Sequence, residues 1–365
     1  MIEIDGSYKE GGGQILRTAL GLACLFNQPF RIVNIRRNRE RPGLMPQHLT
    51  CVRAAQLISN AKTAGDKQGS TELLFYPGEV KRGDYVFDIG TAGSTSLVLQ
   101  TLVPAFTLSV ALNDYRSLSS GGRSEQGVVG KTTITLKGGT HVPFSPCFHY
   151  LAGIFASLLG TIGIDMRVAI DSYGFYPKGG GRIRAELYPV KRLKPLSAVK
   201  RGRILRLTGY SGVGNLPVSI AERQKSSLLE MICAGRLDFG CPLEIEILSV
   251  PTPGAGTFVY LQAESENSSA GFTSLGERGK RAETVGEEAA MEFLEYYAVG
   301  AALDPHMADQ IVPFLAVCKE ESTFITSRVT EHLLTNLWVT SLFCEYQYSV
   351  EGDVGQPGFV RIRGI

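Results

Sequence analysis

Histidine and tryptophan are scarce in this chain of 365 residues, with five of the first and one of the second. Cysteine is sparse as well. The seven cysteines, at 24, 51, 147, 233, 241, 318 and 344, are odd in number and contain no CxxC pair, so neither a disulfide framework nor a thiolate zinc site is expected. That usage points to a reducing, cytoplasmic setting. Long hydrophobic runs are missing too. The longest, SLVLQTLVPAFTLSVAL, is broken by Gln100 and Pro104, so a core helix ending near the proline is expected, not a membrane span. The start, MIEIDGSYKEGGG, lacks the charged-then-apolar order of a secretory signal. An excess of one charge is also absent. The net charge of +2 neither demands nor excludes nucleic acid.

What is present is ordinary globular composition, 44% hydrophobic and 20% charged, in a chain long enough for two or three domains. Glycine is plentiful at 42 residues, which suits tight turns and close backbone approaches to a ligand.

Periodicity gives the organisation. Ile2 and Ile4 alternate as in a strand, EGGG breaks the chain, and QILRTALGLACLF has helical spacing. Strand FRIVNIR, the basic loop RRNRERPG, helix QHLTCVRAAQLISNA and strand TELLFYP follow. The order then begins again with YVFDIG, TSLVLQTLVPAF, TTITLKGGT, FHYLAGIFASLLGTIG, MRVAIDSYG and GRIRAELYPV. Two rounds of similar order, each roughly 80–90 residues, suggest an internal repeat of βαβαβ type. The expected fold is therefore α/β (α+β): a large domain of repeated sheet and helix units over 1–187 and 275–365. After Pro189 the basic, proline-marked KRLKPLSAVKRGR opens a strand–helix–strand–strand segment, read as a smaller inserted α/β domain over 188–274.

Several segments carry chemistry. EGGGQILR, Glu10–Arg17, joins a strand to a helix; it is either a flexible turn or a place where backbone and helix N-terminus meet an anion. A carboxylate beside such a turn makes sense if a divalent metal lies between them. Arg36, Arg37, Arg39 and Arg41 precede Gln47 and His48 at the next helix start. An isolated charged loop is usually only solvated, but forks leading into free N–H groups suit a phosphate-rich ligand. GVVGKTT, Gly127–Thr133, is a decoy for a P-loop: position 125 is glutamate, and a strand pattern follows. GFYPKGGG continues as a strand, so it reads as a sharp turn or bulge. Ser94 and Thr95 cap the helix in which Gln100 is a polar exception needing a partner. HMADQ brings His306, Asp309 and Gln310 to adjacent helical turns, and HLLTN opens a helix with His332. Spacing alone leaves His332 open as a capped helix position or as a nucleophile, for which neutral imidazole is suited.

Taken together, EGGGQILR, RPGLMPQHLT, GTAGSTSLVLQTLVP, GFYPKGGG, HMADQ and HLLTN, in this order and spacing, resemble the RNA 3′-terminal phosphate cyclase family nearly end to end. The resemblance implies an ATP-dependent enzyme that turns an RNA 3′-phosphate into a 2′,3′-cyclic phosphodiester. It implies a histidine–AMP and then an RNA–adenylate intermediate, with His332 as nucleophile. Gln14, Gln100, His306, Met307, Ala308, Asp309 and Gln310 would form the ATP pocket. Arg17, Arg36, Arg39, Gln47 and His48 would handle phosphates of ATP or RNA, and Glu10 would hold Mg²⁺ or Mn²⁺. Many relatives have tyrosine where His306 stands. The expected partners are ATP and an RNA with a 3′-phosphate, with no membrane; a homodimer is left open.

Overall fold

The computed structural model describes residues 1–120, 130–234 and 240–365, without side chains over 110–120. The first unit runs β1 (Ile2–Asp5), α1 (Gly13–Phe26), β2 (Phe30–Val33), α2 (Pro46–Ser59), β3 (Lys62–Ala64) and β4 (Leu73–Tyr76). Its sheet has the order β1-β2-β4-β3, parallel only between β1 and β2. The second unit runs β5 (Asp84–Asp88), α3 (Thr95–Ser120), β6 (Thr132–Gly138), α4 (Phe148–Tyr150), a π-helical turn at Leu151–Phe155, α5 (Ala156–Thr161), β7 (Met166–Ser172) and β8 (Gly181–Leu187). Its sheet, β5-β6-β8-β7, repeats that topology strand for strand.

The repeat occurs a third time. It opens with β9 (Ser197–Ala198), then breaks off into β10 (Ile204–Gly214), α6 (Val218–Ala234), β11 (Leu243–Ser249), β12 (Gly256–Ser265), β13 (Ser269–Leu275) and α7 (Ala282–Val299). It resumes with α8 (Pro305–Gln310), α9 (Val312–Leu315), β14 (Ser322–Thr326), α10 (Glu331–Ser341), β15 (Tyr346–Glu351) and β16 (Gly358–Gly364). The sheet β9-β14-β16-β15 is again parallel between its first two strands and antiparallel elsewhere. The insertion therefore falls in the first crossover of the third repeat. Sequence periodicity finds only two repeats because the third one's first strand is two residues long and lies far from its partner.

The inserted segment folds on its own sheet, β11-β10-β12-β13. Its core joins Leu207, Val259, Leu261 and Phe272 with Leu228 of α6 and with Val285, Ala289 and Phe293 of α7. Burying one such phenylalanine contributes about 2–3 kcal/mol. Helix α7, grouped by composition with the larger unit, thus packs with the insert, while Val190, Leu193, Leu196 and Ala198 belong to the core of the repeats. This second core reaches from Ile204 to Tyr296, while Val250, Phe258 and Tyr260 of the same stretch pack into the core of the repeats.

Helix α3 also departs from expectation, because it runs through Pro104 without ending there. Leu102, Val103, Ala105 and Phe106 are all fully buried around the proline. Their burial outweighs the roughly 3 kcal/mol that an interior proline costs. No helix among the described residues is long and apolar enough to cross a membrane. None of the seven cysteines forms a disulfide. Of the GVVGKTT segment, residues 127–129 lie outside the described residues, and β6 follows as the alternation requires.

Candidate active site

The N-termini of α1, α2, α3, α8 and α10 converge on one cleft of about 730 Å³. Its floor is α1, whose face repeats every four residues: Gln14, Thr18 and Leu22 all line the cleft. The glycine turn that starts α1 is required by close approach. A Cβ on Gly13 would sit 2.2 Å from Nε2 of His48 and 2.9 Å from a guanidinium nitrogen of Arg17. Gly11 adopts φ +61, where a side chain is strained.

His332 lies in the first turn of α10, behind the N-cap Thr330, whose hydroxyl accepts from the Leu333 N–H. The imidazole is 45% exposed in the cleft. Its Nδ1 lies 2.5 Å from Oε2 of Glu10. Burial holds its pKa below the usual histidine range against the upward pull of Glu10, and Arg17 adds to the lowering. The helix N-terminus disfavours imidazolium in the same direction. The ring is therefore neutral at pH 7. The Nδ1–H donates to the carboxylate, which leaves the lone pair on Nε2.

Glu10 is held between two partners, because its other oxygen accepts from Arg39. The turn is further tied to α10 by Tyr8 stacking on Trp338, with ring centroids 4.0 Å apart, and by a 3.0 Å ion pair from Lys9 to Glu331. Beneath His332, the Gln14 amide donates to the His332 carbonyl at 3.2 Å and to Asp309 at 2.7 Å. Asn336, one turn along α10, donates to the Asp309 carbonyl and accepts from Thr18. Burial pushes the Asp309 carboxyl up to about 8 despite Arg17 nearby. Asp309 is therefore largely neutral at pH 7.

The phosphate-type residues collect opposite. Arg17 is half-buried, lines the cleft and makes no hydrogen bond or ion pair among the described residues. Burial lowers its pKa from a very high value, and the guanidinium stays charged. His48 accepts the Met45 N–H on Nδ1, so its proton is on Nε2, beside Gly13. Burial first, then Arg17 and Arg36, depress it to about 3. Arg36 donates to the carbonyls of Arg41 and Gly43, and Gln47 accepts the Ser94 N–H, which ties the basic loop to the start of α3. At the far end, Gln100 donates to Gln310, which supplies the partner that an amide in an apolar helix needs. His306 is exposed at the cleft wall.

Arg37, Arg41, Ser94 and Thr95 do not line this cleft; every residue to which the resemblance gives a role borders it, except Met307 and Ala308. Those two are fully buried and contribute packing under α8. Residues the sequence did not single out also line it. Thr18 and Asn336 could have been found by helical spacing from Gln14 and His332. Thr273 and Glu292 come from the insert, whose sequence carries no matching motif.

The family model described as RNA 3′-terminal phosphate cyclase matches residues 8–350. The chain belongs to the RNA 3′-terminal phosphate cyclase family. Among curated relatives, the RNA 3′-terminal phosphate cyclase of Methanopyrus kandleri is 42% identical, over 100% of this chain and 99% of its own length. That of Sulfolobus acidocaldarius is 42% identical over 97% and 98%, and that of Methylococcus capsulatus 40% over 100% and 97%.

Two polar groups of the cleft bear on what it could hold. Among the described residues Arg17 has no hydrogen bond or ion pair and the buried Oε1 of Gln14 has no partner, while the His48 ring and Arg17 pack closely against the glycine turn at Gly13. A resident metal is not matched in the same way. No three metal-ligating side chains come together among the described residues, and both oxygens of Glu10 are already engaged.

Proposed function

We propose that this chain converts an RNA 3′-terminal phosphate to a 2′,3′-cyclic phosphodiester through AMP carried on His332. Nε2 of His332 attacks the α-phosphorus of ATP, the bond to the β-phosphate oxygen breaks, and pyrophosphate leaves. Arg17, with the Nε2–H of His48 and the free N–H groups at the start of α1, takes up charge on the phosphates. Gln100 and Gln310 offer an amide oxygen and an amide N–H₂ to the nucleoside. An oxygen of the RNA 3′-phosphate then displaces the imidazole from phosphorus, giving RNA–adenylate. The neighbouring 2′-hydroxyl attacks the 3′-phosphorus, loses its proton to solvent or to a base, and expels AMP. That last step is intramolecular, so orientation supplies much of its rate. Mg²⁺ or Mn²⁺ is proposed only as a counter-ion brought by the triphosphate, since the described residues offer it no cage.

The observation that carries this reading is the Glu10–His332 pair, which fixes the tautomer that leaves Nε2 as the nucleophile. The experiment is incubation with α-labelled ATP, followed by addition of a short RNA bearing a 3′-phosphate. Acid-labile label on the protein, then AMP release and a cyclic RNA end, are expected; His332→Ala takes up none. A non-catalytic RNA scaffold would take up no label. A metabolite-directed transferase would leave the RNA end unchanged.

A further inference from the structure

A second cavity of about 300 Å³ adjoins the cleft, sharing Gly271, Glu292 and His306 with it. It is walled by α7, the start of α8, Arg328 after β14, and the turn before β16. Its chemistry is unlike that of the phosphate side. Glu292, Glu295 and Asp304 supply acceptors, and Phe272, Tyr296 and Pro357 supply flat or apolar walls. The carboxylate of Glu292 is held by the Thr273 backbone N–H of β13. Asp304 is 1% exposed. One of its oxygens accepts from the Tyr150 hydroxyl and the His306 and Met307 N–H groups, while the other has no donor. No metal-ligating triad forms there among the described residues.

Three carboxyl groups outnumber the single guanidinium of Arg328 in the lining, so the cavity favours a neutral, planar group rich in N–H over a phosphate. We infer that this cavity holds the terminal nucleobase of the RNA and reads its donor edge. The inference rests on RNA being the substrate of the adjoining cleft. His306 stands between the two spaces, so a base here keeps its own 3′-phosphate on the His332 side. Guanine presents adjacent N1–H and N2–H₂ donors to a carboxylate, whereas uracil presents one N–H flanked by carbonyls. The cavity therefore favours a 3′-terminal guanosine over uridine. It also gives the insert a role: α7 carries two of the three acceptors, Glu292 and Glu295, and β13 supplies the Phe272 wall.

The test is binding of fluorescent short RNAs with 3′-phosphates, identical but for a terminal G, A, C or U, to the full chain without ATP. Guanosine ends are expected to bind at least about fivefold tighter than uridine ends, the lower range for one two-point carboxylate contact. The double variant Glu292→Gln, Glu295→Gln, checked for an unchanged melting profile, is expected to lose that preference, with guanosine ends weakened the most. Equal binding of all four ends by the unaltered protein overturns the inference, as does a preference that survives in the double variant. Self-adenylylation with ATP or inosine triphosphate forms the second arm. If the double variant changes discrimination between these two and leaves RNA ends alone, the cavity holds the nucleotide's base and the RNA assignment is wrong. Binding needs no adenylylation, so failure of the histidine–AMP reading and failure of this one are separable.

Discussion

Nδ1 of His332 and Oε2 of Glu10, 322 residues apart in the chain, meet at 2.5 Å across the cleft. This contact leaves the helix-start histidine with a defined free nitrogen, Nε2, which the proposed reaction uses as its nucleophile. In the proposed reaction Glu10 orients the ring by accepting a hydrogen bond from Nδ1–H, without taking the proton, as carboxylates do beside working histidines.

Removing that carboxylate should slow chemistry more than it weakens binding. Glu10→Ala is expected to lower the adenylylation rate roughly a hundredfold, and Glu10→Gln less, because an amide oxygen still accepts from Nδ1–H. Rapid-quench kinetics with α-labelled ATP checks this. Equal rates in all three proteins would remove Glu10 from the mechanism.

The acid limb of the pH profile carries a sign. The reactive ring is neutral, and its pKa lies below the usual 6.5 through burial, with Glu10 pulling it upward. Adenylylation should therefore rise with pH through a pKa below 6.5 and then level off. In Glu10→Ala the limb should shift to still lower pH although the plateau falls. A limb moving upward would contradict the assigned role.

Gly13→Ala tests the cradle. The added methyl would meet His48 at 2.2 Å and Arg17 at 2.9 Å, so both must move. Overpacking of this kind costs about 1–3 kcal/mol. The KM for ATP should rise along with a lowered melting temperature. An alanine variant with unchanged KM would place the triphosphate elsewhere.

Asp309 gives a stability test independent of turnover. Its folded pKa, raised to about 8, exceeds the unfolded value near 3.8, so the folded state holds a proton that the unfolded state has released. That contribution is fully present below the unfolded value and fades as pH rises through 4–8, by up to about 1.4 kcal/mol per pH unit. Asp309→Asn lacks this slope. The melting temperature of the variant should gain on the unaltered protein steadily from pH 5 to pH 8. Parallel curves would mean Asp309 is ionised when folded.

Much of this was legible in the sequence because local signals sit on the reactive elements. Glycines before α1, Asp304-Pro305 before α8 and Thr330 before α10 mark helix starts, and those starts point into the cleft. Other parts depend on distant pairings. Tyr8 stacks on Trp338, Gln14 bridges Asp309 and His332, and neither pattern has a period to read. The third repeat escaped because β9 has two residues and its pairing with β14 spans the insert. Glu292 and Thr273 escaped because α7 looks like an ordinary surface helix until it packs on β13 beside the cleft. Met307 and Ala308 show the reverse: neighbours of reactive positions in one motif, they face the core.

The most direct measurement is the intact mass of the protein after incubation with ATP, followed by mapping of the modified peptide under non-acidic conditions. The account predicts one added adenylate, on His332 within RVTEHLLTNLW, and none in His332→Ala. No adduct, or an adduct on any other residue, would contradict it.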